Sequence, residues 1–245
     1  MTTVVVLADP PRPVTALSTL AETTPLSASE AADLYTALLK DTVLAADRSG
    51  GETLVNYRPA DALGIDADAE AELRELLSDV LDPESIRFEP QVGETFAGRV
   101  GNTATHLLET EGVGSVGIAR PEAALLARTD IDSAAMKLRS APVVLGSAPG
   151  GRVGYAAFGE PIDFTNCYAP PAIGTLTDRA VDAGLGVDFL ETKPYLETAA
   201  DLAEVVLAVR TRRRADAIVP PHLAAWIDGS DLVVSAGDGG LSIDR

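Results

Sequence analysis

The stretch Ala141–Gly159, APVVLGSAPGGRVGYAAFG, decides the fold. Pro142 to Gly146 and Arg152 to Phe158 are short apolar runs bounded by turn residues, and runs of that length fit interior strands better than helices. Between them lies SAPGG, where Gly150 and Gly151 tolerate positive φ and let another backbone or a ligand come close. Two strands joined by so tight a turn are antiparallel. The bland reading of the turn is a plain strand connection; the sharper one is the floor of a ligand site.

Outward from this pair, strands alternate with helices. Thr3 to Ala8 (TVVVLA) has the continuous β-branched character of a central parallel strand buried on both faces, and its C-terminal end is where open α/β sheets take ligands. Asp9 to Pro25 is proline-rich and predicts a long loop over that edge. Ser27 and Glu30 form a capping box for a helix reaching Asp47, with Leu34, Leu38 and Leu39 as its stripe. Strands follow at Glu52–Tyr57, Ser85–Phe88, Gly114–Ile118 and Gly186–Leu190. Helices are predicted over Asp66–Leu81, from Phe96 through Leu108, over Pro121–Arg139 with a break near Asp130, over Ile173–Ala183 and over Thr198–Arg214. Gly98 and Gly101 inside the Phe96 helix suggest close packing or a nearby ligand. Arg210, Arg212, Arg213 and Arg214 suit the negative end of the last long helix. A short helix around Trp226 and a hairpin through Ala236–Gly240 close the chain. The pattern is that of a three-layer α/β/α fold on a mostly parallel, mixed sheet. Residues 1–214 are expected to form the α/β domain, and 215–245 an extension packed on it.

Acidic residues outnumber basic ones 37 to 19, for a formal charge of −18, and only Lys40, Lys137 and Lys193 are lysines. Such a surface repels polyphosphate and excludes a nucleic-acid partner. It suits a salt-rich cytoplasm, where a short Debye length screens self-repulsion. Cys167 stands alone, which rules out an intramolecular disulfide and reads as a small buried apolar residue. No apolar run approaches the length of a membrane span, and the N-terminus lacks a basic signal region, so a cytoplasmic protein is expected. Asp130-Ile131-Asp132 is a DxD in form, but it reads as a helix cap, Asp130 or Asp132 capping the helix that runs to Arg139. His106 reads as a helix-surface residue and His222 as packed near Trp226.

Four segments in order resemble the DUF2064 family of glycosyltransferase-like proteins, related to the nucleotide-diphospho-sugar transferases of the GT-A fold. PRPVTALSTLAETTPLSASEAADLYTALLKDT (11–42) is similar to a PRPG-x-VKTRL loop followed by a helix ending in Leu-x-Asp-Thr. PQVGETFAGRV (90–100) resembles PQ-x-G-x-x-LGER, VVLGSAPGGRVGYAAFG (143–159) resembles VVLGPA-x-DGGYYLLGL, and PYLETAADLAEVV (194–206) resembles a DVDTPEDL region. The resemblance spans residues 3–210. It implies a nucleotide or nucleotide-sugar over the first strand's C-terminal loop, near Arg12, Thr15, Arg99, Ser147, Gly150, Gly151 and Arg152, with carboxylates holding Mg or Mn against its phosphates.

The chain departs from that pattern at the metal-binding positions. Val14 and Ala16 stand where the resemblance implies Lys and Arg, while Thr15 and Leu17 are kept. Gly117-Ile118-Ala119-Arg120-Pro121 replaces GSDSP, Pro149 precedes Gly150-Gly151 where an aspartate is implied, and Tyr195 replaces the first acid of the last motif, Glu197-Thr198 keeping the second. No cofactor is therefore expected unless the metal chemistry survives. Two expectations remain open: a transferase in which Arg12, Arg99, Arg120 or Arg152 supply the counter-charge, and a non-catalytic binding or scaffold protein, with a protein partner or self-association, that keeps the fold.

Overall fold

A strand with an unbroken apolar run is stable only if both its faces are covered, and β1 (Thr2–Ala8), apolar from Val4 onward, meets that requirement at the centre of the molecule. The computed structural model describes residues 1–13, 15–237 and 239–245. The position read at Val14 and the turn residue Asp238 lie outside the described residues. In chain order β1 is followed by α1 (Ser18–Thr23), α2 (Ala28–Asp47), β2 (Glu52–Tyr57), α3 (Ala60–Leu63), α4 (Ala69–Leu77), β3 (Arg87–Pro90), α5 (Phe96–Thr105) and β4 (Ser115–Ala119). Then come α6 (Arg128–Lys137), β5 (Val143–Ala148), β6 (Arg152–Phe158), α7 (Ala172–Asp182), β7 (Val187–Leu190), α8 (Ala199–Arg214), α9 (Pro221–Gly229), β8 (Val233–Gly237) and β9 (Gly240–Asp244).

Seven strands form one sheet in the order β3-β2-β1-β4-β6-β5-β7, and β6 alone runs antiparallel to its neighbours. The mixed, mostly parallel sheet and its single reversed strand follow from the tight turn at Gly150 and Gly151, both at positive φ (75° and 74°). Alternate residues of β1 enter different cores. Val4, Val6 and Ala8 pack with α2, α4 and α6, whereas Val5 and Leu7 pack with α5 and α7. The expected α/β/α layering is thus present.

Helix α2 carries apolar residues on two sides. Leu39 and Val43 face the sheet, while Leu34 and Leu38 join a third cluster with Leu202 and Val206 of α8, Leu223 and Ile227 of α9, and Ile243 of β9. The capping box is complete: Ser27 Oγ accepts the Glu30 N–H at 3.2 Å, and the Glu30 carboxylate accepts the Ser27 N–H at 2.8 Å. Cys167 is buried in the α5/α7 core, and burial pushes its thiol up to about 12, far from thiolate chemistry at neutral pH. Gly101 is a close-packing glycine, because a Cβ there would lie 2.6 Å from the Phe164 Cβ.

Several boundaries differ from the sequence reading. The Asp9–Pro25 segment is not loop throughout, since α1 forms once the prolines are passed and buries Leu20. The predicted Asp66–Leu81 helix is confined to Ala69–Leu77, capped by Asp68, whose carboxylate accepts the Ala71 N–H at 3.1 Å. β3 starts at Arg87 because Pro83–Ser85 forms a 3₁₀ turn capped by Asp82. Residues 121–127 are turns, with helix only from Arg128. Ala123 and Leu126 enter one core while their neighbours Ala124 and Leu125 enter another, a divergence that no single helical face provides. Asp130 marks no break; its carboxylate accepts the Ala127 N–H at 2.9 Å and so caps α6.

Asp41, buried on α2, caps α9 from 181 and 182 residues away in sequence. It accepts the His222 N–H at 3.0 Å and the Leu223 N–H at 2.7 Å, satisfying two donors at the positive end of that helix. Arg210 and Arg213 of α8 secure the same region through the Leu232 carbonyl at 2.9 Å and an ion pair with Asp228. Asp41→Ala is expected to cost about 1–2 kcal/mol, the range of a lost N-terminal cap. Chemical denaturation measures that loss, and limited proteolysis of the variant should cut first within residues 215–245.

Candidate active-site cleft

The order of the sheet reverses direction at β1, which pairs with β2 on one side and β4 on the other, leaving a crevice beyond the C-terminal strand ends. Each strand delivers a charged residue to that rim: Asp9 follows β1, Arg58 follows β2 and Arg120 follows β4. Their backbones stay in register with the sheet, the Arg58 N–H donating to the Ala8 carbonyl at 3.0 Å and the Arg120 N–H to the Gly154 carbonyl at 3.0 Å. Thr15, Tyr35, Gln91, Phe96, Arg99 and Glu122 complete one lobe of the cleft. A second lobe is lined by Gly150, Gly151, Arg152, Tyr168, Tyr195 and Glu197, and Arg120 belongs to both.

The first lobe sets three guanidinium groups against two carboxylates, in a chain whose acidic residues outnumber its basic ones 37 to 19. Arg58 pairs with Asp9 at 3.2 Å, and Arg120 with Glu122 at 3.5 Å. Arg99 forms no ion pair among the described residues. It donates to neutral oxygens, Gln91 Oε1 at 2.7 Å and the Glu94 carbonyl at 3.2 Å. Burial and the neighbouring Arg58 charge both hold the Arg99 guanidinium below its usual range. Burial raises Asp9, although Arg58 pulls the other way. Burial opposes the charge of Arg120 too, yet Glu122, Tyr195 and Tyr168 together hold it above the usual range.

Aromatic rings hold these cations in line. The Arg120 guanidinium carbon lies 4.7 Å from the Phe96 ring centroid and 5.0 Å from that of Tyr195. Arg99 lies 5.9 Å from Phe96, and Arg152 lies 5.1 Å from Tyr195. The result is a ladder, Arg99-Phe96-Arg120-Tyr195-Arg152, along the cleft. Tyr168 braces it with its ring centroid 4.9 Å from that of Phe96. Each such contact is worth about 0.5–2 kcal/mol, more as water is excluded.

Of the residues expected at a nucleotide site, Thr15 and Arg99 line the first lobe and Gly150, Gly151 and Arg152 the second. Arg12 and Ser147 line neither. Arg12 pairs with Glu72 on α4, and Ser147 Oγ meets Thr192 Oγ1 at 2.8 Å. Arg152 is committed to structure, with its two terminal nitrogens on Asp201 at 2.6 and 2.8 Å, one of them also on Glu197 at 3.0 Å, and its Nε on the Pro149 carbonyl at 2.7 Å. It thereby ties the glycine turn to the N-terminus of α8. The turn is close-packed as well, since a Cβ on Gly151 would lie 2.7 Å from the Pro171 Cβ. Arg58 and the bridging role of Tyr195 escaped the sequence reading. A usable signal for Arg58 was its place directly after the strand Glu52–Tyr57, at the end where open α/β sheets take ligands.

Residues fitted to a divalent metal would be carboxylates free to coordinate it. Among the described residues no group of three or more His, Cys, Asp or Glu side chains is placed to do so. Asp9, Glu122, Glu197 and Asp201 each already meet an arginine. The DxD does not supply a substitute: Asp130 caps α6 and pairs with Lys193 at 3.0 Å, while Asp132 accepts from Arg128 at 3.0 Å and from the Gly50 N–H at 3.2 Å. The residues present do not fit the metal that the resemblance implies.

No protein-family model and no curated protein matches the chain. Solved structures do. A protein from Desulfovibrio desulfuricans G20 assigned as a nucleotide-diphospho-sugar transferase superposes with a TM-score of 0.74 at 17% identity, over 93% of this chain and 96% of that one. The 4-diphosphocytidyl-2C-methyl-D-erythritol synthase of Anaerococcus prevotii DSM 20548 matches with a TM-score of 0.52 at 12% identity, over 86% and 96%. A nucleotidyl transferase from Methanothermobacter matches with a TM-score of 0.50 at 15% identity, over 88% and 99%. The chain therefore has the fold of the nucleotide-diphospho-sugar transferases, as its sequence motifs led us to expect.

The Arg152 clamp yields a prediction with a defined pH sign. Burial works to raise Asp201, but the hydrogen bonds from Arg152 and Thr198 outweigh it and hold the carboxyl below the usual 3.8. A depressed folded-state value contributes stability that is present above 3.8 and is lost as pH falls through the lower value. Arg152→Gln should lower the chemical denaturation midpoint at neutral pH, and its gap from wild type should close as the medium is acidified below 3.8.

Proposed function

We propose that this chain is a divergent nucleotide-diphospho-sugar transferase-like protein, and that a nucleotide or nucleotide-sugar occupies the cleft beyond β1, β2 and β4. The observation that carries this reading is the inversion of charge there: three arginines face two acids at the switch point of a sheet in a chain of formal charge −18. A leaving or transferred phosphate gathers negative charge, and fixed cations are what stabilise it. The fold shared with the transferases above supports the same choice. A UDP-, GDP- or CDP-linked sugar at about a hundredfold above its Kd should raise the melting temperature by about 5–10 °C in molar KCl. A flat response across the whole panel, with and without Mg or Mn, would overturn the reading.

A non-catalytic binding protein is the second reading. It is supported by the carboxylates of the cleft, each held by an arginine rather than left free as a base. It expects the same thermal shift with no release of free nucleotide or diphosphate over time. We further propose that the acidic surface is an adaptation to a salt-rich cytoplasm. The melting temperature of the free protein should then climb as KCl rises from about 0.1 M to about 1 M, over which the Debye length contracts from about 10 Å to about 3 Å.

A further inference from the structure

We propose that the three arginines of the first lobe, Arg58, Arg99 and Arg120, the last two held on the aromatic ladder, form an anion cradle that receives the diphosphate of the ligand directly and takes the place of a divalent cation. This rests on the reading that the cleft accepts a nucleoside diphosphate, and it specifies how.

Three features of the cleft lead here. First, among the described residues Arg99 has neutral oxygens as its only hydrogen-bond partners, so a cation half withdrawn from water stands next to Arg58 with no carboxylate paired to it there. An anion between the two relieves both the desolvation and the mutual repulsion. Second, the Arg58 Nε is buried with no hydrogen-bond partner among the described residues. The terminal nitrogens of Arg58 are only partly engaged, Nη1 by Asp9 at 3.2 Å and Nη2 by the neutral Ala62 carbonyl at 3.4 Å, so the group retains donors for a phosphate oxygen. Third, the partners that align Arg120 are rings, Phe96 at 4.7 Å and Tyr195 at 5.0 Å. A guanidinium stacked on ring faces keeps its N–H edges free for oxygen, which one locked in a bidentate carboxylate pair does not. Arg152 is the internal contrast. It too touches Tyr195, but Asp201 occupies its fork, so it positions the glycine turn and is not counted among the anion ligands.

The same geometry argues against a metal between protein and phosphate. Magnesium requires oxygen ligands in near-octahedral array. Asp9 and Glu122 are the acids of the first lobe, and recruiting them would separate Asp9 from Arg58 and Glu122 from Arg120. Two further guanidinium groups would then be left uncompensated beside the incoming dication.

Isothermal titration with UDP, GDP and CDP in molar KCl, once with EDTA and once with Mg or Mn, tests the assignment. The cradle predicts that at least one nucleoside diphosphate binds in EDTA and that adding metal changes its Kd by less than about threefold. Arg99→Gln and Arg58→Gln should each weaken that binding by about tenfold or more, the scale of a charge-assisted pair. Arg128→Gln, an equal change of charge on the remote surface of α6, should leave it within about twofold. Thermal melts of the variants report that they are folded. Binding that appears only with metal overturns the cradle and leaves the proposed function standing. Unchanged affinity in both folded arginine variants overturns it as well. Absence of binding under every condition overturns the nucleotide reading itself.

Discussion

Stacking of guanidinium groups on aromatic rings is the interaction on which the cleft depends. Arg99, Phe96, Arg120, Tyr195 and Arg152 come from α5, the end of β4, the segment before α8 and the start of β6, and the ladder joins these separate pieces into one wall. Rings orient a guanidinium without cancelling its charge, and Arg99 is the member of the ladder that forms no ion pair among the described residues. Aromatic residues make up only 4% of the chain, so having Phe96, Tyr168 and Tyr195 together in one cleft concentrates a scarce resource. Tyr195 stands where the resemblance implies an acid, and its ring lies between two cations. The aromatic ring at that position completes the ladder.

The wall holds its shape because the scaffold behind it is buried on every side. β1 sends alternate residues into two cores, fixing the height at which Asp9 leaves the sheet. α2 packs against the sheet with one face and against α8, α9 and the hairpin with the other, which explains a helix of 20 residues with 12 buried. Two of the charged groups drawn in by this packing find partners far away in sequence. Asp41 on α2 finds the free N–H groups of α9, and Arg152 finds Asp201.

Charge is arranged oppositely outside and inside. A formal charge of −18 spread over the surface repels anions at long range, and the effect weakens as salt shortens the Debye length. Inside the cleft, partial burial makes the arginines act at close quarters, where screening is weak. An anion approaching the cleft would thus meet repulsion at long range that salt weakens, and attraction at short range that it does not.

Periodicity and turn chemistry carried most of the architecture. Glu52–Tyr57 as a strand, the Ser27 capping box, the Thr198 start of the last long helix and the antiparallel pair around Gly150-Gly151 were all legible, because each depends on neighbours within a few residues. Local pattern failed at residues 121–127, where adjacent apolar side chains serve different cores and imitate a helix. For the cleft, motif resemblance located Thr15, Arg99 and the glycine turn, but it could not separate Arg99, which lacks an acid, from Arg152, which has one. By itself, then, the sequence determined most of the elements and the layered fold, since those are written in residue type and spacing. Only the tertiary structure decided which arginines face the cleft and which are spent on carboxylates. That choice is made by contacts between residues up to 60 apart in sequence, 49 for Arg152 with Asp201 and for Arg58 with Asp9 and 60 for Arg12 with Glu72, and no local pattern encodes such a distance.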